Sequence, residues 1–196
     1  AEMRAPRGVV QRLPWVVLGL SAAMAMPLAH AQQLVADKST ITFVVKQMGV
    51  PVEGSFGTFD AKLVFDPKKP EAGSVQLRVD LASAQIGDAE TTRELRKPEW
   101  FDTAKHTAAT FASKSIKPAG AGRFDVAGTL SLKGNSRDIT VPVVLAQAGA
   151  QTTATGQFSL GRVDYKIGEG AWADTSIVAN DVLVKFKLEL TGVSPP

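Results

Sequence analysis

Apolar residues recur at every second position along much of this chain, with polar residues between them. Ile41, Phe43 and Val45 alternate with Thr40, Thr42 and Lys46. Val75, Leu77, Val79 and Leu81 alternate with Gln76, Arg78 and Asp80. Phe124, Val126, Leu130 and Leu132 stand against Arg123, Asp125, Thr129, Ser131 and Lys133. The cleanest run is Val182, Val184, Phe186, Leu188 and Leu190 against Lys185, Lys187 and Glu189. Shorter runs fall at Leu63–Phe65, Ile139–Leu145 and Phe158–Leu160. Successive side chains of a strand point to opposite faces, so this period demands strands with one wet face and one dry face. Such a sheet is antiparallel, because a parallel sheet buries both faces.

Turn residues punctuate the runs. Asp66-Pro67 through Gly73, Ala119–Gly122, and Ala148–Ala150 each separate two of them, and Lys133-Gly134-Asn135-Ser136 reads as a tight hairpin. Gly and Asn tolerate the positive φ that two-residue hairpins require. Gly54 and Gly57, beside Phe56 and Phe59, suggest a bend where a strand turns a barrel corner. One segment, 88–97, is instead rich in Ala, Glu, Arg and Leu. Asp88 is placed to cap it and Pro98 to stop it, so the pattern predicts one short helix lying over an end of the sheet. The expected fold is therefore all-β: a single antiparallel barrel of about eight strands with one capping helix.

The first 31 residues read as an export signal. Arg4, Arg7 and Arg12 precede an apolar run from Leu13 to Met26, and Ala29-His30-Ala31 is a small-x-small cleavage site. The run is too short for a membrane span, and Pro14, Gly19 and Pro27 interrupt it. Cleavage after Ala31 would leave one domain, 32–196, in the periplasm. Removing three arginines and one glutamate from 22 basic and 19 acidic residues leaves 19 against 18. That near-neutral balance gives no basic stripe for nucleic acid.

Catalytic chemistry finds little to build on. The chain has no cysteine, which excludes disulfides, thiolate metal sites and a cysteine nucleophile. His106 is the sole imidazole beyond residue 31, so a multi-histidine metal site cannot form there. The carboxylates are scattered, and no Gly-x-Ser-x-Gly, P-loop or dinucleotide fingerprint occurs. The expectation is no catalytic residue, no metal and no enzyme. A barrel with an apolar inner face can fill its interior with side chains or enclose a small ligand, and alternation alone leaves both open.

Several segments, taken in order, resemble the YceI-like family of periplasmic polyisoprenoid-binding proteins. Segment 37–45 looks like its first strand, segment 49–59 like its second segment, and Trp100-Phe101-Asp102 with Thr110-Phe111-Ala112-Ser113 like its middle block. Segment 128–134 resembles its central hairpin, and Arg162-Val163-Asp164-Tyr165-Lys166-Ile167-Gly168 its late Arg-x-Asp-aromatic motif. The resemblance implies a lipocalin-like barrel with a long apolar channel. It implies an isoprenoid guest, a quinone or a polyprenyl phosphate, held for transport, storage or sequestration.

Inward positions nominate the channel wall. In the first half these are Phe43, Phe56, Phe59, Phe65, Leu77 and Val79. Trp100, Phe101 and Phe111 come from the middle block, and Phe124, Val126, Leu130 and Leu132 from the central hairpin. Phe158, Leu160, Trp172 and Phe186 complete the set. Arg162 and Asp164, at i and i+2, would share one strand face and form a polar mouth. Stable membrane insertion is not expected, and a homodimer is conceivable on this reading.

Overall fold

A computed structural model describes residues 32–195; the expected signal segment and its cleavage site lie outside the described residues. The chain forms β1 (Gln33–Leu34), β2 (Thr40–Gln47), β3 (Val50–Phe56), β4 (Phe59–Val64), β5 (Ser74–Asp80) and β6 (Ala84–Ile86). Helix α1 (Ala89–Leu95) follows, then β7 (Ala108–Gly120), β8 (Arg123–Leu132), β9 (Asn135–Ala148), β10 (Gln151–Gly161) and β11 (Asp181–Thr191). All eleven strands join one antiparallel sheet, where the alternation had suggested about eight. The surplus comes from β1, β3 and β6. Two of these are very short, and β3 carries Pro51 and Gly54, so none offers a long apolar alternation.

The hydrogen-bonded order runs β4-β5-β7-β8-β9-β10-β11-β2-β3-β6. β3 and β4 stand near opposite ends of that order, yet only Gly57 and Thr58 separate them in the chain. The sheet must therefore curl until its ends meet. In effect β3 and β4 are one bent strand, whose upper half pairs with β2 and whose lower half pairs with β5. The bend is held by Gly57 N–H donating to Ser83 O and Asp80 N–H donating to Thr58 O. This is the corner that Gly57 had suggested. The lower seam is closed by the N-terminal segment. β1 pairs with β11, and the Gln32 amide exchanges two hydrogen bonds with the Phe65 backbone, at 2.5 and 2.6 Å, as a further strand residue would.

Local rules hold where the sequence is explicit. In β8, Phe124, Val126, Gly128, Leu130 and Leu132 are buried and the residues between them are not. The predicted hairpin forms, but Lys133, not Asn135, joins Gly134 at positive φ, and Asn135 already begins β9. Asp88 caps α1, its carboxylate accepting the Thr91 N–H at 2.8 Å, which holds its pKa below the usual value. Among the described residues no helix is long and apolar enough to cross a membrane.

Candidate lipid-binding lumen

The barrel is hollow. A cavity of about 350 Å³ runs inside it, at the lower end of the range of ligand sites. Its wall is almost wholly apolar and extends from Leu132, Leu160 and Val182 at one end to Phe124, Leu145 and Leu190 at the other. On β11 the lumen-facing residues run from Val182 to Leu190, about 27 Å of strand at the usual rise, or about 20 Å along a barrel axis with typical tilt.

Three glycines explain why the phenylalanines do not fill this space. Phe43 on β2 lies opposite Gly54 on β3, and Phe186 on β11 lies opposite Gly156 on β10. Phe111 on β7 lies beside Gly128 on β8. A Cβ on any of these glycines would come within 3.0 Å of the ring. Each ring therefore lies against bare backbone of the next strand instead of projecting across the lumen. The glycines supply room here; their backbone conformation is ordinary. Interiors otherwise pack to crystal-like density, so a lumen survives only where side chains are held to the wall.

Sixteen of the seventeen apolar residues nominated from sequence line the lumen. Phe59 is the exception: it is buried in a separate cluster with Ile41 and Val79. Sequence reasoning passed over Val182, Val184, Leu188 and Leu190 as wall residues, although the same alternation points to them. It also missed Leu95, Ile167 and Val178, which come from the helix and loops and carry no periodic signal.

The polar pair reads differently from the expectation. Arg162 and Asp164 do not share a strand face, because the strand ends at Gly161 and 162–165 forms a 3₁₀ turn. Asp164 is exposed and lies 3.9 Å from Arg137, away from the lumen wall. Arg162 is fully buried. Its guanidinium donates all five N–H groups to backbone carbonyls: Ala179 O, Ile167 O, Gly168 O, Trp172 O and Val178 O, at 2.7–3.1 Å. No carboxylate of the described residues lies within 4.0 Å of it. Burial pushes its pKa below the ordinary value, but an arginine stays charged in a protein.

A second buried cation works beside it. Lys133 donates to Pro98 O at 2.7 Å, Lys166 O at 2.8 Å and Glu169 Oε1 at 3.2 Å. Together the two cations tie the β8–β9 turn to the loop after α1 and to the 162–180 loop. That assembly closes part of one barrel end and presses Trp100 and Trp172 against the lumen, their rings 5.6 Å apart. The lumen reaches the surface beside it, where Gln47, Thr91 and Glu94 are its polar lining. His106 is half-buried against the turn at Gly134 and does not line the lumen. No cluster of metal-ligating side chains occurs among the described residues.

A hollow antiparallel barrel with a dry, tail-shaped interior defines a lipocalin-like binding fold. The chain belongs to the YceI-like family: the model of the YceI-like domain matches residues 33–190. A UPF0312 protein of Vibrio parahaemolyticus is 32% identical over 181 residues, which cover 89% of this chain and 95% of the relative. The crystal structure of Burkholderia cenocepacia BcnA is 42% identical, with TM-score 0.78, over 80% of this chain and 98% of that one. A polyisoprenoid binding domain from Saccharophagus degradans, implicated in plant cell wall breakdown, is 21% identical with TM-score 0.68, over 82% and 98% of the two chains. That last likeness establishes shared fold.

Proposed function

We propose that this protein binds one long-chain isoprenoid lipid in its lumen and carries or sequesters it in the periplasm. The continuous apolar lumen is the observation that carries the reading. An isoprene unit adds four backbone bonds, about 5 Å when extended, so a lumen of about 20 Å takes about four units. Each buried methylene contributes about 0.8 kcal/mol, partly offset by the entropy of ordering the tail. Such a tail cannot cross water unshielded, which gives an enclosed barrel its use. The polyisoprenoid-binding relative of the same fold supports the ligand class. The signal-like segment at 1–31 supports export. Among the described residues Glu94 and Arg162 are the only ionisable side chains on the wall, and no ion pair joins them. Binding without turnover is the simplest chemistry for this lining.

The test is a tail-length series. Prenols of one to six units are titrated into delipidated protein. Affinity should rise by about ten-fold per unit up to about four units and then level off. A flat series, or none binding, would remove the carrier reading.

A further inference from the structure

We propose that the tip of the β2–β3 hairpin, with the loop bonded to it, is a bilayer-docking surface: its apolar side chains enter a lipid leaflet and set the lumen mouth against it. The surface is read from exposure and backbone strain; its use in loading the lumen rests on the carrier reading.

The β2–β3 turn consists of Met48 and Gly49, both at positive φ, +50° and +78°. A two-residue turn of this kind favours Asn-Gly or Asp-Gly, since a short polar side chain can bond locally there and a long apolar one only strains the backbone. Met48 is also 77% exposed, and Val50 just beyond the turn is 61% exposed. The hairpin therefore carries two costs at one place, a strained turn residue and apolar surface in water. Neither serves the fold, because asparagine would fit the turn better.

This apolar surface is continuous with the lumen. Val45 pairs with Val52 and Gln47 with Val50, so all four share the inward face of the hairpin. Val45, Gln47 and Val52 line the lumen, while Val50 has the same phase and stands past the rim. The neighbouring loop repeats the pattern. Gln47 bridges to Val178, and Met48 N–H donates to Ile177 O at 2.7 Å. Val178 lines the lumen, and Ile177 beside it is exposed. An apolar path thus runs from the lumen over the rim to Met48, Val50 and Ile177.

Chemistry and size select the occupant. Segments 47–52 and 175–180 hold no charged residue, which leaves nothing for an ionic polymer to grip. Three protruding side chains fall far short of the roughly 20 residues a side of a stable protein interface, a second copy of this chain included. A bilayer needs no matching shape: it takes up a convex apolar tip, and each side chain withdrawn from water stabilises the contact. It is also where an isoprenoid lipid dissolves, so the mouth beside Gln47 meets its cargo there.

Sedimentation with phosphatidylcholine vesicles tests this on the protein as cells export it. The native protein should co-sediment, and equally so when salt is raised about ten-fold, since no charge lies on the tip. Met48→Asn should weaken vesicle binding by about ten-fold, the scale of burying one methionine side chain. Its melting temperature should match or exceed the native one. Its affinity for a short prenol in solution should stay native, because Met48 does not line the lumen. In the native protein, spin labels on the lipid tails should broaden the amide signals of 48–50 and 177 most. Native protein left in the supernatant overturns the proposal. So does Met48→Asn binding vesicles as tightly as the native chain, or vesicle binding lost at high salt. A dimer in solution that Met48→Asn splits also overturns it and gives the tip to a second copy. Prenol binding without vesicle binding leaves the carrier reading standing alone; vesicle binding through the tip with no prenol bound does the reverse.

Discussion

Replacing Arg162 by leucine is expected to destabilise the protein by about 4 kcal/mol or more, because the loss falls on five buried contacts at once. The guanidinium alone satisfies carbonyls from Ile167, Gly168, Trp172, Val178 and Ala179, all in the segment that closes one barrel end. Leucine fills part of the space and satisfies none of them. Those carbonyls must then recover water, which opens the 162–180 segment. For a domain of this size the melting temperature should fall by about 10 °C or more. Hydrogen exchange should rise first in that segment. Arg162→Lys should recover less than half of the loss, since an ammonium has three donors and no planar fork. A melting temperature within about 2 °C of the native value would refute the staple role, since so small a shift is about 1 kcal/mol at this size.

Gly156→Val is the second large effect. A Cβ there meets Phe186 on one side and Pro142 O on the other. The ring could swing away, but the carbonyl belongs to the backbone and cannot. The variant should lose about 3 kcal/mol, in the range of overpacked cores, read by denaturant unfolding. Its lumen should also shrink, because a displaced Phe186 ring has only the interior to enter. Prenol binding should therefore weaken by more than ten-fold even at temperatures where the variant is folded. Native-like stability with native-like binding would contradict the account of how the wall is kept thin.

Much of the fold was legible because β8 and β11 state it residue by residue: a strict alternation has one dry face, and a dry face needs a partner. α1 was legible from its cap and from the proline that follows. β3 was harder. Gly54 leaves a gap in the apolar phase of Val50, Val52 and Phe56, Pro51 donates no N–H, and the strand is held by pairing with β2 and β6. The wall residues followed from strand phase, which is local. The hollow did not, since it depends on Gly54, Gly128 and Gly156 standing across from particular rings, a matter of register between strands. Phe59 shows the same limit from the other side: its phase is inward, but it packs against Ile41 and Val79 and does not itself line the lumen. Arg162 failed as a strand residue because the chain leaves the sheet where Gly161 pairs with Asp181. A lone arginine among apolar neighbours then finds its acceptors in loop carbonyls up to seventeen residues away.

Native mass spectrometry of the protein, exported by bacterial cells and purified without detergent, tests the central claim most directly. The account predicts a population heavier than the bare chain by several hundred daltons, released on organic extraction as a single isoprenoid and regained when that lipid is returned. A bare chain mass, unchanged after incubation with isoprenoids of any length, would contradict it.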